Sequence, residues 1–176
     1  PEVGAFFDFD GTLIKGYSAT AFFRERIKTR DIDAKEVFDT LIESVNIERR
    51  GKDVTDLMNI AVRAQQDKTF EELQDFGERI FNKKIASMVY PDARVLVEAH
   101  RAAGHTIVLA SSATLPQVQS AAEDLGIDYI VCTELDVEDG HYTGKLASPV
   151  RWGKEKAKAV REFAEEYGVD LTQSFC

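Results

Sequence analysis

Two carboxylates, Asp8 and Asp10, stand two residues apart at the end of the apolar run Val3-Gly4-Ala5-Phe6-Phe7. Such a run reads as a buried strand, and its period of two sets both acids on one side while the backbone stays extended. A buried carboxylate pair is costly unless cations or hydrogen bonds offset the charge, so the pair points to a bound metal ion. Gly11 then frees the backbone and ends the strand. Two more groups have chemical potential. Ser111 follows the apolar stretch Thr106-Ile107-Val108-Leu109-Ala110, and the run Gly153-Lys154-Glu155-Lys156 opens a helix rich in lysine. An anionic substrate in acidic surroundings would need a metal and one or two placed lysines of this kind.

These groups must be positioned by the elements between them. Helical periodicity covers Ser18 to Lys28, with Ala19, Phe22, Phe23 and Ile27 on one stripe, then Ala34 to about Val45, Val54 to Ala64, and Phe70 to Val89. Thr69-Phe70-Glu71-Glu72 carries the capping-box pattern, and Leu73, Phe76, Ile80 and Ile85 give the last of these helices a core face. About 75 residues of helix are too many for one crossover, which implies an inserted helical domain over 15–90. The core is then 1–14 and 91–176. Within it, Asp92 to Ala103 reads as a helix closed by Gly104, followed by a strand over 106–110. Thr114, Pro116 and Gln117 open another helix, which ends at Gly126. Tyr129 to Cys132 reads as a third strand, Asp139-Gly140 as the turn of a β-hairpin, and the helix after Gly153 runs to Tyr167. Strands alternating with helices specify an α/β, doubly wound parallel sheet, whose ligands sit at the carboxyl ends of the strands. Asp8, Asp10 and Ser111 all occupy such ends. A further buried strand is expected to begin at Ser174-Phe175-Cys176.

The 176 residues carry 22 basic and 31 acidic side chains, a formal net charge of -9. Between Lys15 and Lys84 the signs balance, 14 against 14, so the excess negative charge belongs to the core. A nucleic-acid binder normally shows the reverse, a basic face, so the charge balance argues against that class. No apolar run approaches the ~20 residues of a membrane span, and no basic segment leads into an apolar one as in a secretory signal. Cys132 and Cys176 match no metal-ligand spacing and suit a reducing, cytoplasmic compartment. His100, His105 and His141 are dispersed in no ligand pattern. Phe22, Phe23 and Phe38 read as interior of the helical insertion rather than as substrate contacts.

The run Asp8-Phe9-Asp10-Gly11-Thr12-Leu13 closely resembles the D-x-D-G-T-L motif of the haloacid dehalogenase-like phosphatases. Ala110-Ser111-Ser112 is similar to that superfamily's second motif, and Gly153-x-x-Lys156 resembles its third. The helical insertion directly after the first motif looks like a type 1 cap, as in the phosphoserine phosphatase-like branch. The resemblance implies a Mg²⁺-dependent phosphomonoester hydrolase that acts on a small phosphorylated metabolite. In that scheme Asp8 is the nucleophile that becomes an aspartyl-phosphate, and Asp10 is the general acid and base. Mg²⁺ would be bound by the Asp8 side chain and the Asp10 main-chain carbonyl. Ser111 and the Ser112 amide would hold phosphoryl oxygens, with Lys156, or alternatively Lys154, adding positive charge.

Two departures from the family pattern carry expectations of their own. The fourth motif, an acidic pair that completes the metal shell, has no counterpart in these residues, which implies weak Mg²⁺ binding and slow or no turnover by this stretch alone. The glutamate that grips the amine of phosphoserine is replaced by Tyr17, which argues against phosphoserine as substrate. A non-catalytic relative that binds phosphorylated ligands or a protein, and a phosphotransferase, remain the alternative readings.

Overall fold

A computed structural model of the chain describes residues 2–33, 35 and 55–176. The helix expected from Ala34 to Val45, and Phe38 with it, lies outside these residues apart from Lys35. Strands β1 (Gly4–Phe7), β2 (Thr106–Thr114) and β3 (Tyr129–Thr133) form a parallel sheet in that order. Phe7 stands opposite Leu109, and Ala110 opposite Val131. β2 runs four residues beyond the expected 106–110, because its edge keeps pairing with β3 through an irregular register up to Thr114.

Helices cover both faces of the sheet, so every residue of β1 is buried and the strand reads as continuously apolar. Ala5, Phe7, Ile107 and Leu109 pack under α4 (Pro91–Ala102) and α5 (Leu115–Leu125). Phe6 and Val108 meet Phe163 and Ala164 of α6 (Lys154–Glu166) on the other face. This is the expected doubly wound α/β arrangement. On the open side of β1, Phe175 pairs in parallel with Ala5: the Phe6 N–H donates to the Phe175 carbonyl at 2.9 Å and the Phe175 N–H to the Gly4 carbonyl at 2.8 Å. A single β-bridge to β1 thus forms at the residues where the sequence suggests a further strand.

Between β1 and β2 stand α1 (Ser18–Lys28), α2 (Thr55–Arg63) and α3 (Phe70–Lys83). The capping box at the start of α3 is formed on both sides. The Glu72 N–H donates to Thr69 Oγ1 at 3.2 Å, and the Thr69 N–H donates to Glu72 Oε2 at 2.7 Å. Leu73, Phe76 and Ile80 are its buried face. The expected continuation to Val89 is corrected: Lys84 leaves helical dihedral space, and Ile85–Met88 form a 3-10 turn that puts Ile85 into the core. The hairpin of β4 (Leu135–Glu138) and β5 (His141–Leu146) turns on Asp139 and Gly140, both with positive φ, the geometry of a type I′ turn. It also pairs with the α2–α3 link. The Asp67 N–H donates to the Tyr142 carbonyl at 2.8 Å, and the Tyr142 N–H donates to the Lys68 carbonyl at 2.9 Å.

Gly77 lets α3 approach the first turn of α5 at backbone distance. A Cβ there would lie 2.1 Å from the carbonyl oxygen of Pro116. An exposed Gly→Ala change in a helix gains up to about 1 kcal/mol, whereas forcing atoms into a packed contact costs about 1–3 kcal/mol. Gly77→Ala is therefore expected to lower the melting temperature by several degrees, measured by circular dichroism. An unchanged or higher midpoint would show that the two helices are not held this close.

Candidate active site

β1 ends at Phe7, and the chain turns sharply around Phe9, which is fully buried. The Phe9 carbonyl accepts from the N–H groups of Thr12, Leu13 and Ile14 at 3.2, 3.0 and 3.2 Å. Leu13 and Ile14 enter the core, and the loop is tied down from the far side by Tyr90 N–H to the Leu13 carbonyl at 3.0 Å and Lys15 N–H to the Met88 carbonyl at 2.8 Å. Asp8 and Asp10 flank the anchored Phe9 and are carried on a backbone with little freedom.

The two acids find different partners. Lys156, in the first turn of α6, donates from Nζ to Asp8 Oδ1 at 2.7 Å. Lys154 in the same turn is exposed. The Asp8 side chain remains 44% exposed, so this is a partly solvated ion pair whose attraction water weakens. Asp10 accepts from the Ser18 N–H at 2.6 Å and from Ser18 Oγ at 3.2 Å. Ser18 is the first residue of α1 and is wholly buried, while Tyr17 at the cap position makes no side-chain cap. Asp10 thus serves as the missing cap from eight residues upstream, with its charge at the favourable end of the helix dipole. Burial nevertheless pushes the Asp10 carboxyl above the ordinary aspartate range. The Ser18 hydrogen bonds pull the other way, the neighbouring Asp8 charge adds to the rise, and Lys156 opposes it.

Ser111 follows Ala110 within β2, three residues short of the end at Thr114 rather than at the strand tip as expected, and is buried. Its Oγ accepts from the Ala113 N–H at 3.1 Å, which leaves the hydroxyl proton free to donate. Ser112 is fixed through its carbonyl, which accepts from Thr133 Oγ1 at 2.6 Å. Thr133 Oγ1 in turn accepts from the Arg151 N–H at 3.0 Å. One buried hydroxyl therefore ties together the tips of β2 and β3 and the segment that leads into α6. The sequence reading missed both Ser18 and Thr133. A lone hydroxyl gives no pattern, although the absence of a capping side chain at Tyr17 could have drawn attention to a remote acceptor. His100 and His105, dispersed in sequence, meet in space with their Nδ1 atoms 2.8 Å apart, and the His100 ring stands edge-on to Phe7.

A family model described as haloacid dehalogenase-like hydrolase matches residues 5–176. The chain belongs to the haloacid dehalogenase-like hydrolases. It is 29% identical over 171 residues to phosphoserine phosphatase SerB1 of Mycobacterium tuberculosis, covering 95% of this chain and 56% of that protein. The chain thus spans about half the length of the curated relatives it matches. A Bordetella pertussis Tohama I protein of unknown function superimposes with a TM-score of 0.82 at 22% identity, over 98% of this chain and 78% of the other. A phospho-aspartyl intermediate analogue of phosphoserine phosphatase gives a TM-score of 0.65 at 22% identity, over 98% and 76%. Both structural likenesses confirm the fold.

The Mg²⁺ that this hydrolase family implies can be weighed against the donors present. Asp8 offers carboxylate oxygen and the Asp10 backbone offers carbonyl oxygen, the hard ligands this ion takes. Among the described residues no three His, Cys, Asp or Glu side chains are grouped to hold a metal. The donor set fits a site of the kind that uses one or two carboxylates, with water and substrate phosphate filling the remaining positions. Among the described residues, no helix is long and apolar enough to cross a membrane.

Thr133→Val removes the shared hydroxyl and leaves the Ser112 carbonyl and the Arg151 amide without it. Leaving buried polar groups unsatisfied costs about 1–3 kcal/mol, so the variant is expected to unfold at lower urea concentration with an unchanged m-value. A midpoint equal to that of the parent would show that the three-way tie contributes nothing.

Proposed function

We propose that the chain forms the phosphoryl-transfer core of a Mg²⁺-dependent phosphomonoester hydrolase that works through an aspartyl-phosphate on Asp8. The observation that supports this most directly is the pairing of Asp8 with Lys156, two residues before an acid whose carboxyl burial pushes above its ordinary range. The reading also rests on the family to which the chain belongs and on relatives that include a phosphoserine phosphatase.

In the first step an Asp8 carboxylate oxygen bonds to phosphorus while the bond from phosphorus to the alcohol oxygen breaks. Asp10, protonated at the start, gives its proton to the departing alkoxide. In the second step Asp10 takes a proton from water, the water oxygen bonds to phosphorus, and the Asp8–phosphorus bond breaks to release phosphate and restore the carboxylate. Throughout, Lys156 keeps a positive charge on the nucleophile's side of the site, and the Ser111 hydroxyl is free to donate to a phosphoryl oxygen. Held by the Asp8 carboxylate and the Asp10 carbonyl, Mg²⁺ would lower the repulsion between a carboxylate and a phosphate dianion. The burial that raises the Asp10 proton affinity suits a group that must act first as an acid.

Covering 15–90, the helices α1, α2 and α3 act in this reading as a cap over a core of 1–14 and 91–176. A small phosphorylated metabolite is the substrate class. Tyr17, which stands where an amine-binding glutamate would be needed, is 70% exposed and offers no counter-charge for an amino acid.

Phosphate release from a generic aryl phosphate by the full-length protein tests the proposal. Asp8→Asn is expected to lose at least a thousandfold in kcat, and Lys156→Met about a hundredfold in kcat/KM, the range seen when a preorganised charge is removed. Turnover that survives Asp8→Asn would overturn the nucleophile assignment.

A further inference from the structure

A cavity of about 140 Å³ lies among α1, α2, α3 and the start of α5. Its walls are Phe22 and Phe23 of α1, Met58 and Ala61 of α2, and Phe76 of α3, with Thr114 closing it from the β2 side. The sequence reading took Phe22 and Phe23 as plain interior; the structure gives both a face on this space. Asp8, Asp10, Ser111 and Lys156 are not among its wall residues, but two wall residues stand close in the chain to groups of the site. Ala19, one residue beyond Ser18, lines it on α1, and Thr114, three residues beyond Ser111, lines it on β2. Ser18, Phe22 and Arg26 recur at four-residue spacing and share one face of α1, so a single helical stripe leads from the Asp10 carboxylate past the cavity, about 12 Å in length.

The chemistry of the walls selects an occupant. Aromatic and aliphatic side chains dominate, and the one cation among the described wall residues is already engaged: Arg26 Nη1 donates to Asp31 Oδ2 at 3.1 Å and to the Ala64 carbonyl at 3.2 Å. A free ammonium or carboxylate would lose its water here without gaining a counter-charge. One polar atom is left over. Gln65 lines the cavity at 7% exposure, its amide nitrogen donates to the Ala61 carbonyl at 3.1 Å, and its Oε1 accepts from no group among the described residues. A buried acceptor without a partner is costly, so the place suits a hydrogen-bond donor. A space near 150 Å³ holds a benzene-sized group.

We infer that this cavity receives the leaving-group side of the substrate, a hydrophobic alcohol of about six carbons, linear or aromatic, that can carry a hydroxyl at its far end for Gln65. This inference rests on the phosphatase reading for its reaction but on the cavity for its ligand, and the two can fail separately. Phosphate release by the full-length protein is measured with methyl, butyl, hexyl, phenyl and 6-hydroxyhexyl phosphate and with phosphoserine. Burial of each methylene is worth about a fourfold gain in kcat/KM until the space is filled. Hexyl and phenyl phosphate should therefore far exceed methyl phosphate, with phosphoserine near the bottom of the series. Ala61→Leu, which fills the space, should cut the hexyl-to-methyl ratio at least tenfold, and Phe23→Leu, which enlarges it, should move the optimum to a longer chain. Gln65→Leu should penalise 6-hydroxyhexyl phosphate at least tenfold relative to hexyl phosphate. A flat dependence on chain length, or equal losses for hexyl and methyl phosphate in Ala61→Leu, would overturn the inference. Should no ester be hydrolysed, the phosphatase reading fails, and the cavity is decided by fluorine NMR of 4-fluorobenzyl alcohol. Line broadening that disappears in Ala61→Leu supports the pocket, and its absence in the parent protein rejects it.

Discussion

Everything in this chain is arranged around a difficulty of charge, two aspartates set into the end of an otherwise apolar strand. Each acid has a partner that offsets its charge, and the two partners come from opposite ends of the sequence. Lys156 reaches Asp8 across a separation of 148 residues, whereas Asp10 is held by the first turn of α1 only eight residues on. The partners do different things to their acids. Lys156 leaves Asp8 partly open to solvent. Ser18 compensates Asp10 incompletely, and desolvation prevails. Two carboxylates of the same residue type thereby acquire separate tendencies from their surroundings, the usual way a single site performs both nucleophilic and proton-transfer chemistry.

The scaffold fixes these positions through a few connections that are not local. Phe9 nails down the loop between the acids, and the segment before α4 holds the same loop from outside. Thr133 joins the neighbouring strand tips to the approach of α6, so that the lysine and the serine loop share one reference frame. The β4–β5 hairpin, the one antiparallel pair of strands among the described residues, is used as a bracket. By pairing with residues 67–69 it fastens the helices that follow β1 to the segment that follows β3.

Much of this was legible in the order of residues. The apolar run ending in Asp8-Phe9-Asp10 announced a buried strand because only a sheet covered on both faces tolerates such a run. Thr69 with Glu72 announced a helix start, and Asp139-Gly140 a tight hairpin, because each demands particular side chains at particular offsets. What escaped was what depends on distant packing. The stop at Lys84 follows from pulling Ile85 into the core, the extension of β2 to Thr114 from an irregular pairing with β3, and the docking of the hairpin from a contact between segments some 70 residues apart. Ser18 and Thr133 belong to the same class: their hydroxyls matter because of where the fold delivers them. Phe22 and Phe23 showed the reverse, since helical periodicity identified their stripe correctly but could not say that a space stood in front of it.

The central claim is that Asp8 takes the phosphoryl group. Its most direct test is to mix the full-length protein with an excess of aryl phosphate and Mg²⁺, quench within milliseconds in acid, and map the modified peptide by mass spectrometry with and without hydroxylamine. The account predicts an acid-stable, hydroxylamine-labile phosphate on the peptide that contains Asp8, and on no other. Phosphate on a serine or histidine peptide, or turnover without any covalent intermediate at Asp8, would contradict it.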